Sequence, residues 1–269
     1  MIANLFKHEF RRTLPGFGLI AAVGAAVVGG SVLLTVLLPA PLNAIFSILG
    51  IGGAIIVPTA VVIWLGIHFY RSSYSKTGYL TRALPVRGST IYWVKFAVAY
   101  GLSLLSLLVG AALAYLAGIG FTVAGGGTVA DLNAYLASAW DWITSAPGWA
   151  LAMIAIVVLM MPVQWLASFY LASTVGSEAW SSKFGLGGPI LVWFAFYVGS
   201  QMVGLLAALL PIQVMVADGG VALETGFRNI FAMNTNDVIP VGVFLGIFAL
   251  AFVAIAWGSV SFDRKVELR

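Results

Sequence analysis

The sequence has no cysteine among its 269 residues. Disulfides, thiol nucleophiles and thiolate metal sites are therefore excluded. Charge is nearly as scarce: Asp, Glu, Lys and Arg make up 8% of the chain, against the roughly 25% usual in a soluble domain. Only two histidines occur, His8 and His68, and they are not spaced as metal ligands. No G-x-x-x-x-G-K-[ST] pattern is present, and the run AGGGTV at 124–129 lacks the lysine that would reach a phosphate, so no nucleotide site is visible. No charged residue falls near the middle of a long apolar run. That weighs against proton- or sodium-coupled transport, intramembrane or metal-dependent proteolysis and voltage sensing. No catalytic site is expected in this chain.

What fills the sequence instead is apolar: 61% of residues are hydrophobic, more than a globular core can absorb, so lipid must solvate most of the chain. A helix crosses the hydrocarbon with about 20 apolar residues, and six stretches qualify: 16–38, 42–69, 91–121, 149–172, 186–216 and 238–260. The expected fold is all-α and polytopic, one transmembrane domain over 1–269. Pro58, Pro162 and Pro211 are expected to bend their helices, since each removes a backbone donor. The basic front followed by an apolar stretch is also the order of a signal peptide. Gly16–Leu38 exceeds the ~7–15 residues of a signal core, however, and is expected to be a retained span.

Twelve of the thirteen Lys and Arg residues fall in segments on one side of the alternating spans, and Arg228 alone on the other. This asymmetry assigns both termini and residues 70–90 to the cytoplasm. Set against Glu9, Glu178, Asp263 and Glu267, the twelve cations leave the inner face near +8. Arg228 against Asp131, Asp141, Asp218, Glu224 and Asp237 leaves the outer face near −4, which together give the net +4. The expected surface partner is lipid, with anionic headgroups inside, and not nucleic acid.

Two amphipathic helices are legible outside the spans. In residues 1–15, Ile2, Leu5, Phe6 and Phe10 oppose Lys7, His8, Arg11 and Arg12, which predicts an interfacial helix preceding the first span. In the outer loop, Leu132, Tyr135, Leu136, Ala139, Trp140 and Ile143 oppose Asp131, Asn133, Ser138 and Asp141, which predicts a second helix on the outer surface with Trp140, Trp142 and Trp149 at headgroup level. Small residues recur every four positions at Ser106, Gly110, Ala114 and Gly118, and at Ala21, Ala25 and Gly29, a spacing that favours close helix association. At membrane depth the polar residues are Gln164 and Gln201, with Gln213 and Asn43 nearer the ends. They either bridge helices or, for Gln164 and Gln201, line a substrate path.

Residues 70–96, YRSSYSKTGYLTRALPVRGSTIYWVKF, hold five cations, no acid and four tyrosines. A short helix from Ser72 to about Leu84 is expected to stop before Pro85. The ordered set Phe69, Tyr70, Tyr74, Gly78, Tyr79, Leu80, Thr81, Leu84, Pro85, Val86 and Lys95 resembles the permeases of the ATP-binding-cassette type-2 exporter family. The compact bacterial six-span members are the nearest in pattern. One departure is that many relatives carry acidic residues before Gly-Tyr-Leu-Thr, where this chain has Lys76 and Thr77.

The resemblance implies a dimer with a second permease copy or a homologous permease, in the cell membrane of a bacterium. It implies that each copy docks a cytosolic ABC ATPase through Tyr74, Lys76, Gly78, Tyr79, Leu80, Arg82, Leu84 and Pro85. A second contact is implied at Gly176, Ser177, Glu178 and Lys183. ATP and magnesium are then expected on the ATPase, with no cofactor in this chain. It implies also that the outer segment 217–236 forms short re-entrant helices acting as an external gate. The exported substrate is expected to be amphipathic or hydrophobic: a peptide, drug or lipid. The alternative expectation is a membrane scaffold or sensor that binds a cytosolic partner through the basic segment.

Overall fold

The computed structural model describes residues 2–74, 86–178, 180, 184, 185, 187–217, 220–225 and 238–264. In chain order the elements are α1 (Ile2–Leu37), α2 (Leu42–Tyr74), α3 (Gly88–Ala124), α4 (Val129–Thr144), α5 (Gly148–Val175), α6 (Gly187–Ala208), β1 (Ile212–Ala217), β2 (Gly220–Thr225), β3 (Val238–Pro240) and α7 (Val241–Arg264). All helices but α4 are long and apolar enough to cross a membrane. The chain is thus a multi-pass helical membrane protein, with a small three-stranded sheet among the described residues.

Two expectations about the ends of spans are corrected. The amphipathic segment 1–15 and the first span are one unbroken helix, α1, with Pro15 inside it. Pro15 lacks the N–H that would bond the Arg11 carbonyl, but both residues are exposed, so surrounding groups can satisfy what the helix loses. The fifth span, expected to reach residue 216 with a bend at Pro211, ends at Ala208. Leu209 and Leu210 tighten the last turn by donating to the Leu206 and Ala207 carbonyls, and Pro211 cannot continue the helix.

Beyond Pro211 the alternating β-branched residues Ile212, Val214 and Val216 enter a strand. β1 pairs antiparallel with β2 from Ile212↔Thr225 to Ala217↔Gly220, and β3 pairs on its other side. The segment expected to form re-entrant helices is therefore extended over 217 and 220–225. Residues 218, 219 and 226–237 lie outside the described residues.

The chain divides into two compact units, Met1–Leu65 with Val94–Thr144, and Gly66–Trp93 with Ser145–Arg269. In the first, α1 buries Glu9, Thr13, Phe17, Gly24, Val28, Ser31 and Thr35, a stripe at helical spacing. Its core joins Val28 to Ala54, Val57, Leu113 and Ala117. The expected stripe Ala21, Ala25 and Gly29 is not this one; Gly29 faces open space. In α3 the expected stripe partly serves: Ser106 is fully buried, and a Cβ on Gly110 would lie 2.6 Å from the Pro58 ring of α2. Its neighbour is intramolecular. In the second unit the start of α6 lies by the end of α5, where Gly176 abuts Pro189. Gly204 of α6 faces Val243 and Ile247 near the start of α7, and Gly258 of α7 faces Thr174 near the end of α5. Helices α5 and α7 thus run alike and α6 runs opposite, as alternating spans require.

Helix α4, expected over 131–143, is capped reciprocally. The Thr128 backbone N–H and hydroxyl donate to the Asp131 carboxylate at 2.7 and 2.8 Å, and the Asp131 N–H donates back to the hydroxyl at 3.3 Å. The Thr128 hydroxyl foremost, then its N–H, hold the Asp131 carboxyl below its usual range. A depressed carboxyl stabilises the fold fully above its unfolded pKa and loses that contribution as pH falls through the lower folded value. Protection of the Thr128 amide, corrected for intrinsic exchange, should therefore drop on acidification below about pH 4. The drop should vanish in Asp131→Asn; a pH-independent wild-type amide would refute the cap.

Candidate functional site

Five aromatic rings from four helix ends meet in the second unit. Phe69 and Tyr74 come from the last turns of α2, Tyr92 from the start of α3, Tyr170 from the end of α5 and Phe262 from the end of α7. Phe69 stacks on Tyr170 with centroids 3.8 Å apart, and Tyr92 stands edge-on to both, at 5.8 and 5.6 Å. Phe262 lies 6.0 Å from Phe69 and Tyr92 and 5.9 Å from Tyr74. Such pairs add about 0.5–1.5 kcal/mol each beyond the area they bury. The cluster needs a glycine: a Cβ at Gly258 would fall 2.8 Å from the Tyr92 hydroxyl oxygen. Only a bare backbone lets Tyr92 lie over α7.

Three consecutive residues of α7 grip three different segments at this point. The Ser261 hydroxyl donates to Glu178 Oε1 at 2.7 Å, a buried bond that fixes the segment following α5. Phe262 packs in the aromatic cluster between α2 and α3. The Asp263 carboxylate accepts the Ser89 backbone N–H at 3.2 Å, supplying one of the partners that the first turn of α3 lacks within its own helix.

Of the residues expected to touch a partner, the structure places four, and the first, Gly176, is the buried C-cap of α5 with its N–H on the Ala172 carbonyl at 2.9 Å. Tyr74 is 9% exposed, stacks on Tyr70 at 6.0 Å and meets Phe262 edge-on. Glu178 is equally buried, and Ser177 is half-buried with its N–H on the Thr174 carbonyl. Tyr74 and Glu178 are thus brought to adjacent residues of α7, Phe262 and Ser261. Both serve inside the chain, as anchors of the segments they end. Lys76, Gly78, Tyr79, Leu80, Arg82, Leu84, Pro85 and Lys183 lie outside the described residues, as does most of the expected helix from Ser72 to Leu84.

Gln164 is half-buried in α5, with its side-chain carbonyl enclosed and without a hydrogen bond among the described residues. Gln201 is exposed on α6. No hydrogen bond joins them.

The sequence left one site unread. In the first unit, Lys95 Nζ lies 3.6 Å from Glu9 Oε1, with side chains 4% and 8% exposed. Glu9 is fixed on the buried stripe of α1, where the Thr13 hydroxyl also bonds its backbone carbonyl at 2.9 Å. The available signal was a lone acid in a basic segment and a lysine inside the third apolar run. A search confined to mid-span charges passes over both. Ser261 and Asp263 were missed for a different reason: nothing in their local pattern marks them as partners for residues 83 and 174 positions away.

In comparison with known proteins, the chain matches no family model, no curated sequence and no solved structure.

Proposed function

We propose that this chain is the membrane permease of an ATP-driven exporter of the ATP-binding-cassette type-2 kind, dimeric in a bacterial cell membrane and driven by separate cytosolic ATPases. The observation that carries this reading is the ordered pattern from Phe69 to Lys95. It is supported by where the pattern is rooted: the two segments assigned to the ATPase leave from Tyr74 and Glu178, and both residues are held by consecutive residues of α7.

The mechanism follows from that rooting. Tyr79, Leu80 and the cations Lys76 and Arg82 meet the ATPase; an apolar and aromatic contact supplies affinity, and the cations speed the encounter. ATP binding draws the two ATPases together and shifts the docked segments. Close-packed rings resist deformation, so the shift passes to the ends of α2, α3, α5 and α7 as one displacement. It biases one of two packings of the helices, which gives alternating access powered from outside the membrane. An apolar path with the Gln164 carbonyl as a polar point suits an amphipathic peptide, drug or lipid.

The test is gentle purification of the protein co-expressed with a candidate cytosolic ATP-binding-cassette ATPase from its own source. Wild type should yield a stable complex containing both chains, and Tyr79→Glu with Leu80→Glu should yield folded permease without the ATPase. If the doubly substituted permease retained the ATPase in full, or wild type never bound it, the proposal would fail. A scaffold would show the same binding without transport, which the closing measurement of the Discussion separates.

A further inference from the structure

We propose that α4 is an interfacial anchor whose aromatic side is inserted into the lipid headgroup region at the C-terminal end of α3. The inference concerns the membrane-spanning fold and is independent of the exporter reading. It begins with where α4 is seated. Leu132 packs at Gly118 of α3, and the Tyr115 hydroxyl donates to the Asn133 side-chain carbonyl at 3.0 Å. Tyr115 precedes the last residue of α3, Ala124, by nine positions, so α4 folds back about 13 Å along that helix at 1.5 Å per residue. Over the same stretch α3 presents Tyr115, Leu116 and Phe121 outward, Phe121 at 59% exposure. The first half of α4 therefore lies beside the lipid-facing flank of a span, continuous with it and not held off in water.

Helix α4 itself buries no residue. Tyr135, Trp140 and Trp142 are 70%, 65% and 65% exposed. At 3.6 residues per turn, Trp142, Tyr135, Leu132, Ile143, Leu136 and Trp140 share one half of the helix, and Asp141 and Ser138 lie opposite. Large exposed apolar side chains thus flank the seated strip on both sides, Tyr135 with Trp142 on one and Leu136 with Trp140 on the other, and such exposure marks a surface that is covered in use. Tryptophan and tyrosine are the side chains that settle at a lipid interface, with the ring in acyl chains and the polar edge at the headgroups. The charge of α4 selects the lipid: it carries Asp131 and Asp141 and no cation, so it suits zwitterionic headgroups and gains nothing from anionic ones.

The absence of cysteine makes the experiment direct, because each introduced thiol is the only one. Nitroxide labels at Trp140→Cys, Leu136→Cys and Asp141→Cys are compared in phosphatidylcholine vesicles, using oxygen as the lipid-soluble relaxer and a nickel chelate as the water-soluble one. Labels at 136 and 140 should be relaxed several-fold more by oxygen than by nickel, and the label at 141 should show the reverse. Equal nickel access at 140 and 141 would overturn the proposal by placing the helix in water. Shielding of 136 and 140 from both relaxers would overturn it by showing a protein partner there, such as a second copy. Unlabelled protein provides a second readout that needs no thiol: brominated phosphatidylcholine should quench wild-type tryptophan emission by a larger fraction than it quenches Trp140→Phe/Trp142→Phe. Equal fractional quenching would also contradict insertion.

Discussion

Lys95→Met is expected to destabilise the protein by about 3–5 kcal/mol, read as a large drop in thermal unfolding temperature in detergent. Lys95 and Glu9 are both enclosed, and their charged groups are 3.6 Å apart. Removing the ammonium takes from the enclosed Glu9 carboxylate the cation 3.6 Å away, with little water to replace it. Loss of one partner from such a pair costs far more than the pair contributes, because the remaining ion keeps its desolvation penalty. Replacing both by apolar residues removes that penalty. Glu9→Leu/Lys95→Met should therefore recover most of the loss and can equal wild type. If the single variant cost less than about 1 kcal/mol and the double gained nothing over it, the pair would be a surface contact of the ordinary weak kind.

Phe262→Ala should have a comparable effect, about 3–5 kcal/mol, since it removes a buried ring from a close-packed site and leaves a cavity the neighbours cannot fill. Phe262 packs against Phe69, Tyr74 and Tyr92, so α2 and α3 lose their common contact on α7. The proper control is Phe252→Ala in the same helix: that ring is 56% exposed, and its loss should change stability by no more than about 0.5 kcal/mol. Similar costs for the two alanine variants would show that the cluster holds nothing together.

The parts of this fold that composition governs were legible in the sequence. Apolar runs long enough to span a bilayer appear as helices, and α4 was legible from its 3.6 period. The errors came where two structures share one composition. Residues 209–216 are as apolar as a span, but Pro211 and the β-branched alternation after it favour a strand, and hydropathy does not register either. The stripe Ala21, Ala25 and Gly29 has the spacing of a packing face, yet the buried face of α1 is the one carrying Glu9 and Val28. Spacing gives a period and leaves the phase open; only the neighbours decide which face is turned inward. Among the candidate site residues, Tyr74 was legible as part of an aromatic pattern. Its burial was not, because the ring that covers it, Phe262, lies near the other end of the chain.

The central claim is that this chain couples a cytosolic ATPase to movement across the membrane through residues 75–85. It is tested most directly by ATP hydrolysis and outward transport in vesicles containing the permease and the ATPase that co-purifies with it. Wild-type permease should raise hydrolysis well above that of the ATPase alone and move an amphipathic substrate, and Tyr79→Glu/Leu80→Glu should abolish both. Hydrolysis indifferent to the permease, or binding without any transport, would contradict the claim.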